Sequence, residues 1–274
     1  MRVATFACDP SPGAYSDNLD QAVDGLERAA AEGARLLALP ELWPTSFMPA
    51  GDPRPVEASA ASVERLAVRA AELGVVVVGS GLAPSGSGRP FNRAHVLEGG
   101  AVRATHDKVH LFSPTGEPMA FTAGKGAPPV VETAAGKLSP LVCYDLRFPE
   151  VARAAFRQGA ELLVVVAQWP ATRAEHWRGL CLGRAVEGQW NLVAANRSGS
   201  EPLGSRGHTL EFSGNGLVVS PSGELLGEGD ARDPLLVVDV DPGQPAKLRR
   251  AVPVRRDERR DVYTAWAGEP GGEK

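Results

Sequence analysis

A thiol, a carboxylate and an ammonium recur in this chain in one setting, each just past the end of an apolar run. Cys143 stands inside LVCYDLRFPE (141–150), Glu41 follows Pro40 in LPELWPT (39–45), and Lys108 lies in HDKVHLF (106–112). Leu141 and Val142 read as the end of a buried strand. Pro149 suits the first turn of a helix, where its missing N–H would have no partner anyway. The thiol therefore sits at a strand-to-helix bend, which turns a side chain outward and aims backbone N–H groups at what it attacks. A carboxylate nearby can take the thiol's proton, and a lysine cation favours the thiolate. Singly, each residue has a plainer reading. Free cysteine is usually a small core residue, and a glutamate or lysine after a strand is usually a solvated charge. All three at strand ends, in the order Glu, Lys, Cys, form a specific pattern, because open α/β sheets build their sites at the carboxyl ends of strands.

Hydropathy patterning supplies the elements that would hold them. Alternating apolar residues predict a strand over 2–8, stopped by Asp9-Pro10. Leu19, Val23, Leu26 and Ala30 give helical spacing over 18–32, closed by Gly33. A short strand over 35–39, a Pro/Gly-rich loop over 47–55 and a helix over 56–73 follow. The wholly apolar strand over 75–79 is expected to be buried on both faces. Strands over 92–98 and 101–105 turn at Gly99-Gly100. The stretch 112–125 is irregular and polar, and strands over 130–133 and 137–143 pair around Ala135-Gly136. After the bend come a helix to Gln158, a strand over 162–167, a turn at Trp169-Pro170, a helix over 174–189 and a strand over 191–195. Glycine-rich 204–216 precedes short strands over 217–220, 224–226 and 235–240. Strands alternate with helices, which argues for a single α/β domain across 1–274 with helices covering buried sheets. Strands outnumber helices, so two packed sheets sheathed by helices fit the count. Polar, glycine-rich 268–274 is expected to be a disordered tail.

A net charge of −4 gives no general affinity for nucleic acid or an anionic membrane. The basic pairs in 249–260 alternate with Asp257 and Glu258 and read as a solvated, salt-bridged edge. MRVATFACDP lacks the pattern of a secretory leader, and no apolar run approaches a membrane span. Cys8, Cys143 and Cys181 are widely spaced and odd in number, so reduced thiols in a cytoplasm are expected. No CxxC, HExxH or glycine fingerprint suggests a metal or nucleotide, and neither metal nor cofactor is expected.

The three motifs resemble the signatures of the nitrilase, or carbon–nitrogen hydrolase, superfamily, and the resemblance runs from the first strand to Tyr263. FTAG at Phe121, NR at Asn196 and SPSGE at Ser220 also fit. The resemblance implies a four-layer α-β-β-α sandwich, α/β in class, that pairs with a second copy as a homodimer or higher homo-oligomer. It places the family's Glu-Lys-Cys triad on Glu41, Lys108 and Cys143, and its second glutamate on Glu117. In FSGNG (212–216) many relatives carry serine where Gly216 stands, so looser packing is expected there. CYDLRFPE and QWPATRAEHW (168–177) are most similar to the omega-amidases, which cleave the terminal amide of 2-oxo acid monoamides. Deaminated-glutathione amidases and N-carbamoyl amino acid hydrolases are the alternatives, and a non-catalytic binding protein on the same fold is the alternative of another class.

Residue types then suggest roles. Glu41 would be general base toward Cys143 and acid toward the leaving ammonia. Lys108 and the Tyr144 N–H would hold the oxyanion, one such donor being worth roughly 3–4 kcal/mol in the transition state. Glu117 would position Lys108 or the substrate amide, or be purely structural. His106 and His110 are expected to shape the Lys108 loop, and Cys8 and Cys181 to be core. The expected substrate is a small amide carrying a remote carboxylate, 2-oxoglutaramate leading. Arg147 or Arg173 would clamp that carboxylate, with His176 one turn beyond Arg173, and Trp169 and Phe47 would wall its carbon chain. Against the clamp stands an ordinary salt bridge of Arg147 with Asp145 or Glu150.

Overall fold

The computed structural model describes residues 1–47, 54–203 and 208–266. The tail expected over 268–274 lies outside the described residues, as do positions 48–53 of the expected loop. The first half of the chain runs β1 (Arg2–Phe6), α1 (Tyr15–Ala31), β2 (Leu36–Ala38), α2 (Arg54–Leu73), β3 (Val76–Ala83), β4 (Phe91–Glu98) and β5 (Ala101–Asp107). A short helix α3 (Glu117–Ala120) leads to β6 (Val131–Thr133), β7 (Gly136–Val142), α4 (Pro149–Gln158), β8 (Leu162–Ala167), α5 (Ala174–Gly188) and β9 (Asn191–Asn196). The ribbon β10 (Ser198–Leu203) and β11 (His208–Ser213) follows. Then come β12 (Leu217–Val219), β13 (Leu225–Glu228), β14 (Leu235–Asp239), α6 (Gln244–Ala251), α7 (Val254–Asp257) and α8 (Arg260–Trp266).

Two six-stranded sheets result, ordered β14-β1-β2-β3-β4-β5 and β13-β12-β9-β8-β7-β6. Each has three parallel strands at its centre, β1 to β3 and β7 to β9, with antiparallel strands at the flanks. Successive side chains alternate between faces, so one strand feeds two cores. Val3, Leu36, Ala38, Val76, Val78, Ala94 and Val96 face the second sheet. Ala4, Phe6, Leu37, Val77 and Leu97 face outward onto Leu19, Leu26, Val63, Leu66 and Ala70 of α1 and α2. On the far side, Phe156 of α4 and Trp177 and Cys181 of α5 cover the second sheet. The result is the four-layer α-β-β-α sandwich. Because the central strands are parallel, their carboxyl ends gather on one rim of each sheet, and both rims meet at the site.

Three local expectations need correction. β3 continues past Gly79 to Ala83, since its glycines make room for neighbours rather than end the strand: a Cβ at Gly79 would fall 2.7 Å from the Trp43 ring. Gly216 is tightly packed, not loose, for a Cβ there would lie 2.2 Å from Thr5 Oγ1. Part of the glycine-rich stretch pairs as β10–β11, in register from Ser198 opposite Ser213. The basic C-terminal segment is salt-bridged, as expected, and forms short helices: Glu258 holds Arg157 and Arg260. Among the described residues no helix is long and apolar enough to cross a membrane.

Candidate active site

Cys143 follows β7 directly and begins a 3-10 turn, Cys143–Arg147, that hands the chain to Pro149 at the start of α4. Its φ is +44°, a conformation that costs a non-glycine residue about 1–3 kcal/mol and persists only where surroundings enforce it. Asp145, buried in the same turn, is part of that enforcement. Its carboxylate accepts the backbone N–H of Val109 (3.3 Å) and His110 (2.9 Å), and meets His110 Nδ1 at 2.9 Å and His106 Nε2 at 3.3 Å. Burial opposes its charge, but His106, His110 and those hydrogen bonds win and hold Asp145 below the usual carboxylate range. The two histidines thus shape the Lys108 loop by fastening it to the nucleophile turn.

Glu41 lies just past β2 and Lys108 just past β5, both fully buried. Lys108 Nζ donates to Glu41 Oε1 at 2.7 Å and to Glu117 Oε1 at 2.8 Å. Asn92 Nδ2 donates to Glu41 Oε1 (2.7 Å), the backbone N–H of Gln168 donates to Glu41 Oε2 (3.0 Å), and Phe112 N–H donates to Glu117 Oε2 (2.8 Å). Burial alone would pull the Lys108 ammonium down, yet the Glu41 and Glu117 carboxylates outweigh it and hold Lys108 well above the usual lysine value. Glu117 is raised, by burial first, with Lys108 opposing and Glu41 adding to the shift. The Cys143 thiol is also raised well above its ordinary value, first by burial and then by Glu41, against the pull of Lys108. Lys108 thus favours the thiolate, as expected, but burial and Glu41 outweigh it, and the Glu41 carboxylate lies in hydrogen-bonding reach of the thiol.

Above this floor opens a pocket whose walls include Phe47, Glu117, Cys143, Tyr144, Arg147, Trp169 and Arg173. All nine residues singled out in the sequence therefore meet at one place, with Glu41 and Lys108 beneath the others. Neither alternative salt bridge of Arg147 forms. Its guanidinium lies 4.8 Å over the Trp169 ring, and Nη2 donates to His176 Nδ1 at 3.1 Å, which requires that nitrogen to be unprotonated. Arg173 lies 5.6 Å over the Phe112 ring, and its carbonyl accepts the Trp169 indole N–H at 2.9 Å. No salt bridge among the described residues uses either arginine. Cys8 and Cys181 are core residues, and burial pushes the Cys8 thiol up to about 12.

Sequence reasoning missed Asn92, Asp145, Gln168 and Arg197 as parts of this assembly, and Phe112, Thr115 and Leu210 as pocket walls. Asp145, Gln168 and Arg197 each sit inside a quoted motif, so the signal was present without a role attached. Asn92, on β4, carries no local signal at all.

A buried Glu-Lys-Cys floor at the rim of an α-β-β-α sandwich is the arrangement of one enzyme family, and this chain belongs to it: the carbon–nitrogen hydrolase family model matches residues 2–250. It is a hydrolase of carbon–nitrogen bonds. Among its relatives are the 2-oxoglutaramate amidase of Bacillus subtilis (strain 168), 32% identical over 94% of this chain and 99% of its own. The omega-amidase NIT2 of Xenopus tropicalis is 29% identical over 91% and 92%. Of solved structures, an amidase from Nesterenkonia sp. superposes with a TM-score of 0.84 at 33% identity, covering 97% of this chain and 96% of its own. Forms of that amidase from strain AN1 carry the acetamide moiety of fluoroacetamide on the active-site cysteine or, in a cysteine-to-alanine variant, bind butyramide.

Proposed function

We propose that the protein is an omega-amidase-like thiol amidohydrolase that releases ammonia from a small amide bearing a remote carboxylate, with 2-oxoglutaramate the leading substrate. The observation that carries this reading is two arginines, with no carboxylate partner among the described residues, on the wall of the pocket that holds Cys143. In the proposed reaction Cys143 Sγ attacks the amide carbon while its proton passes to Glu41. Lys108 and the Tyr144 N–H hold the oxyanion. The C–N bond breaks, Glu41 returns the proton to the departing ammonia, and a thioester remains. Water, giving its proton to Glu41, then attacks the thioester; the acid leaves and the thiol is restored. Glu117 anchors Lys108, and Tyr144, Trp169 and Phe47 enclose the substrate's carbon chain. No cofactor takes part. We further propose that the chain works as one domain, as a homodimer or higher homo-oligomer, in the cytoplasm.

A second reading is favoured by the apolar walls of Phe47, Phe112, Trp169 and Leu210 together with the butyramide-binding relative: a short neutral amide. Ammonia release from 2-oxoglutaramate and from a neutral amide of similar length separates the two. The expected outcome is a clear preference for the acid in kcat/KM. Preference for the neutral amide would remove the omega-amidase reading and leave the amidase chemistry intact.

A further inference from the structure

Glu41 leaves the first sheet and Cys143 the second, so no continuous strand or turn fixes the distance between them. Gln168 is one of the residues that reach across. Gln168, at the end of β8 in the second sheet, donates its backbone N–H to Glu41 Oε2 (3.0 Å) and its side-chain Nε2 to the Glu41 carbonyl (2.7 Å). Glu41 Oε1 already accepts from both Asn92 and Lys108, so Oε2 keeps an open lone pair for the thiol proton. The Gln168 N–H therefore bonds to the oxygen whose placement matters for proton transfer.

The side chain of Gln168 is itself fixed. Its Oε1 accepts from Arg197 Nη1 at 2.8 Å. A flipped amide would set its oxygen against the Glu41 carbonyl and its NH2 against the guanidinium, so Arg197 dictates the orientation. Arg197 is 1% exposed. Nη1 also donates to Ser46 Oγ (2.8 Å) and Glu201 Oε2 (2.5 Å), and Nη2 donates to Asp9 Oδ1 (2.7 Å) and the Pro10 carbonyl (3.1 Å). Ser46 belongs to the same loop as Glu41 and holds a φ of +55°. One guanidinium thus grips the Glu41 loop directly and again through Gln168. The neighbouring Asn196 brackets the next peptide, accepting from Trp169 N–H (2.7 Å) and donating to its carbonyl (3.0 Å).

We propose that Gln168, oriented by Arg197, is a positioning residue that sets the Glu41 carboxylate against the Cys143 thiol across the two sheets. This rests on Glu41 being the base, and the experiment separates the two claims. Gln168→Met keeps length and backbone N–H but removes the amide. It should lower kcat about 10- to 100-fold, as a small misplacement of a reacting group does, while KM stays within about twofold. Combined with Glu41→Gln it should add almost nothing, because there is no longer a base to position. A structural defect would instead multiply the two losses. Where Gln168→Met fails to fold, Arg197→Lys, which keeps the charge but loses the fork, is read the same way with a smaller loss. An active Glu41→Gln would remove the base assignment itself. An inactive Glu41→Gln beside a Gln168→Met of parental kcat, or multiplicative losses in the double variant, would overturn the positioning role alone.

Discussion

The floor and the wall of the pocket are built on opposite terms. On the floor each oxygen of Glu41 and Glu117 accepts at least one protein donor, and Lys108 spans both carboxylates. On the wall Arg147 and Arg173 lie over aromatic rings, and among the described residues the one polar partner of either guanidinium is His176. A group whose bonds are all satisfied internally is held in place before substrate arrives, which is what catalysis through preorganised dipoles needs. A guanidinium with spare donors is suited to recognition instead. The contrast has a testable content: changes to the floor should slow every substrate alike, whereas changes to the wall should alter which substrate is preferred.

The largest effect belongs to the nucleophile. Cys143→Ala is expected to abolish ammonia release from acidic and neutral amides equally, with thermal unfolding close to the parent's. Substantial turnover by the folded variant would take the thiol out of the reaction.

Next come the two charges beneath it. Glu41→Gln should cost on the order of 100-fold or more in kcat for all amides, and Lys108→Met a similar factor. Because the groups act as a unit, the double variant should be little worse than the poorer single one. Lys108→Met also leaves two buried carboxylates facing each other without their cation, a loss of about 3–5 kcal/mol in stability that a lowered Tm would report. Glu41→Gln has a second signature of opposite sign. Burial and Glu41 together raise the Cys143 thiol against the pull of Lys108, so neutralising Glu41 should lower it. Iodoacetamide should then label Cys143 faster in this variant near neutral pH, although turnover collapses. Labelling that slows along with turnover would show that Glu41 creates the reactive thiolate at rest.

The floor was more legible in the sequence than the wall or its ties, for physical reasons. Glu41, Lys108 and Cys143 are reactive types placed at strand ends, and strand ends follow from apolar runs that a buried parallel sheet demands. The same runs made β8 readable to the residue, while β3 was cut short at Gly79, because the apolar run ends there although the strand goes on through glycines, of which Gly79 admits Trp43. Gly216 misled in the same way, being small because Thr5 is close. The ties were hidden because each joins residues far apart in the chain: Asp145 to Val109 and His110, Gln168 to Glu41, Arg197 to Asp9. No local period encodes such a pairing; only the packing of two sheets creates it. The lysine's pull toward the thiolate was read with the right sign, but burial, which outweighs it, is invisible in a list of charges.

The smallest predicted effect is the one that separates wall from floor most sharply. A charge-assisted hydrogen bond to a substrate carboxylate contributes about 1.5–3 kcal/mol, so losing a clamping arginine should cost on the order of tenfold or more in kcat/KM for 2-oxoglutaramate. A neutral amide of similar length should lose far less, since it has no group for the guanidinium to hold. Arg147 is the better placed of the two. It lies in the same turn as the nucleophile, its face rests on Trp169, and His176 fixes one of its donors. Arg173 receives the Trp169 indole N–H on its carbonyl, so its backbone anchors the pocket wall whatever its side chain does. Arg147→Ala is therefore expected to narrow the preference for the acid more than Arg173→Ala. If both variants keep the parent's preference, the carboxylate is held elsewhere and the wall's spare donors have another use. If either variant slows acid and neutral amide by the same factor, that arginine acts on the chemistry, and the division between floor and wall breaks at that residue.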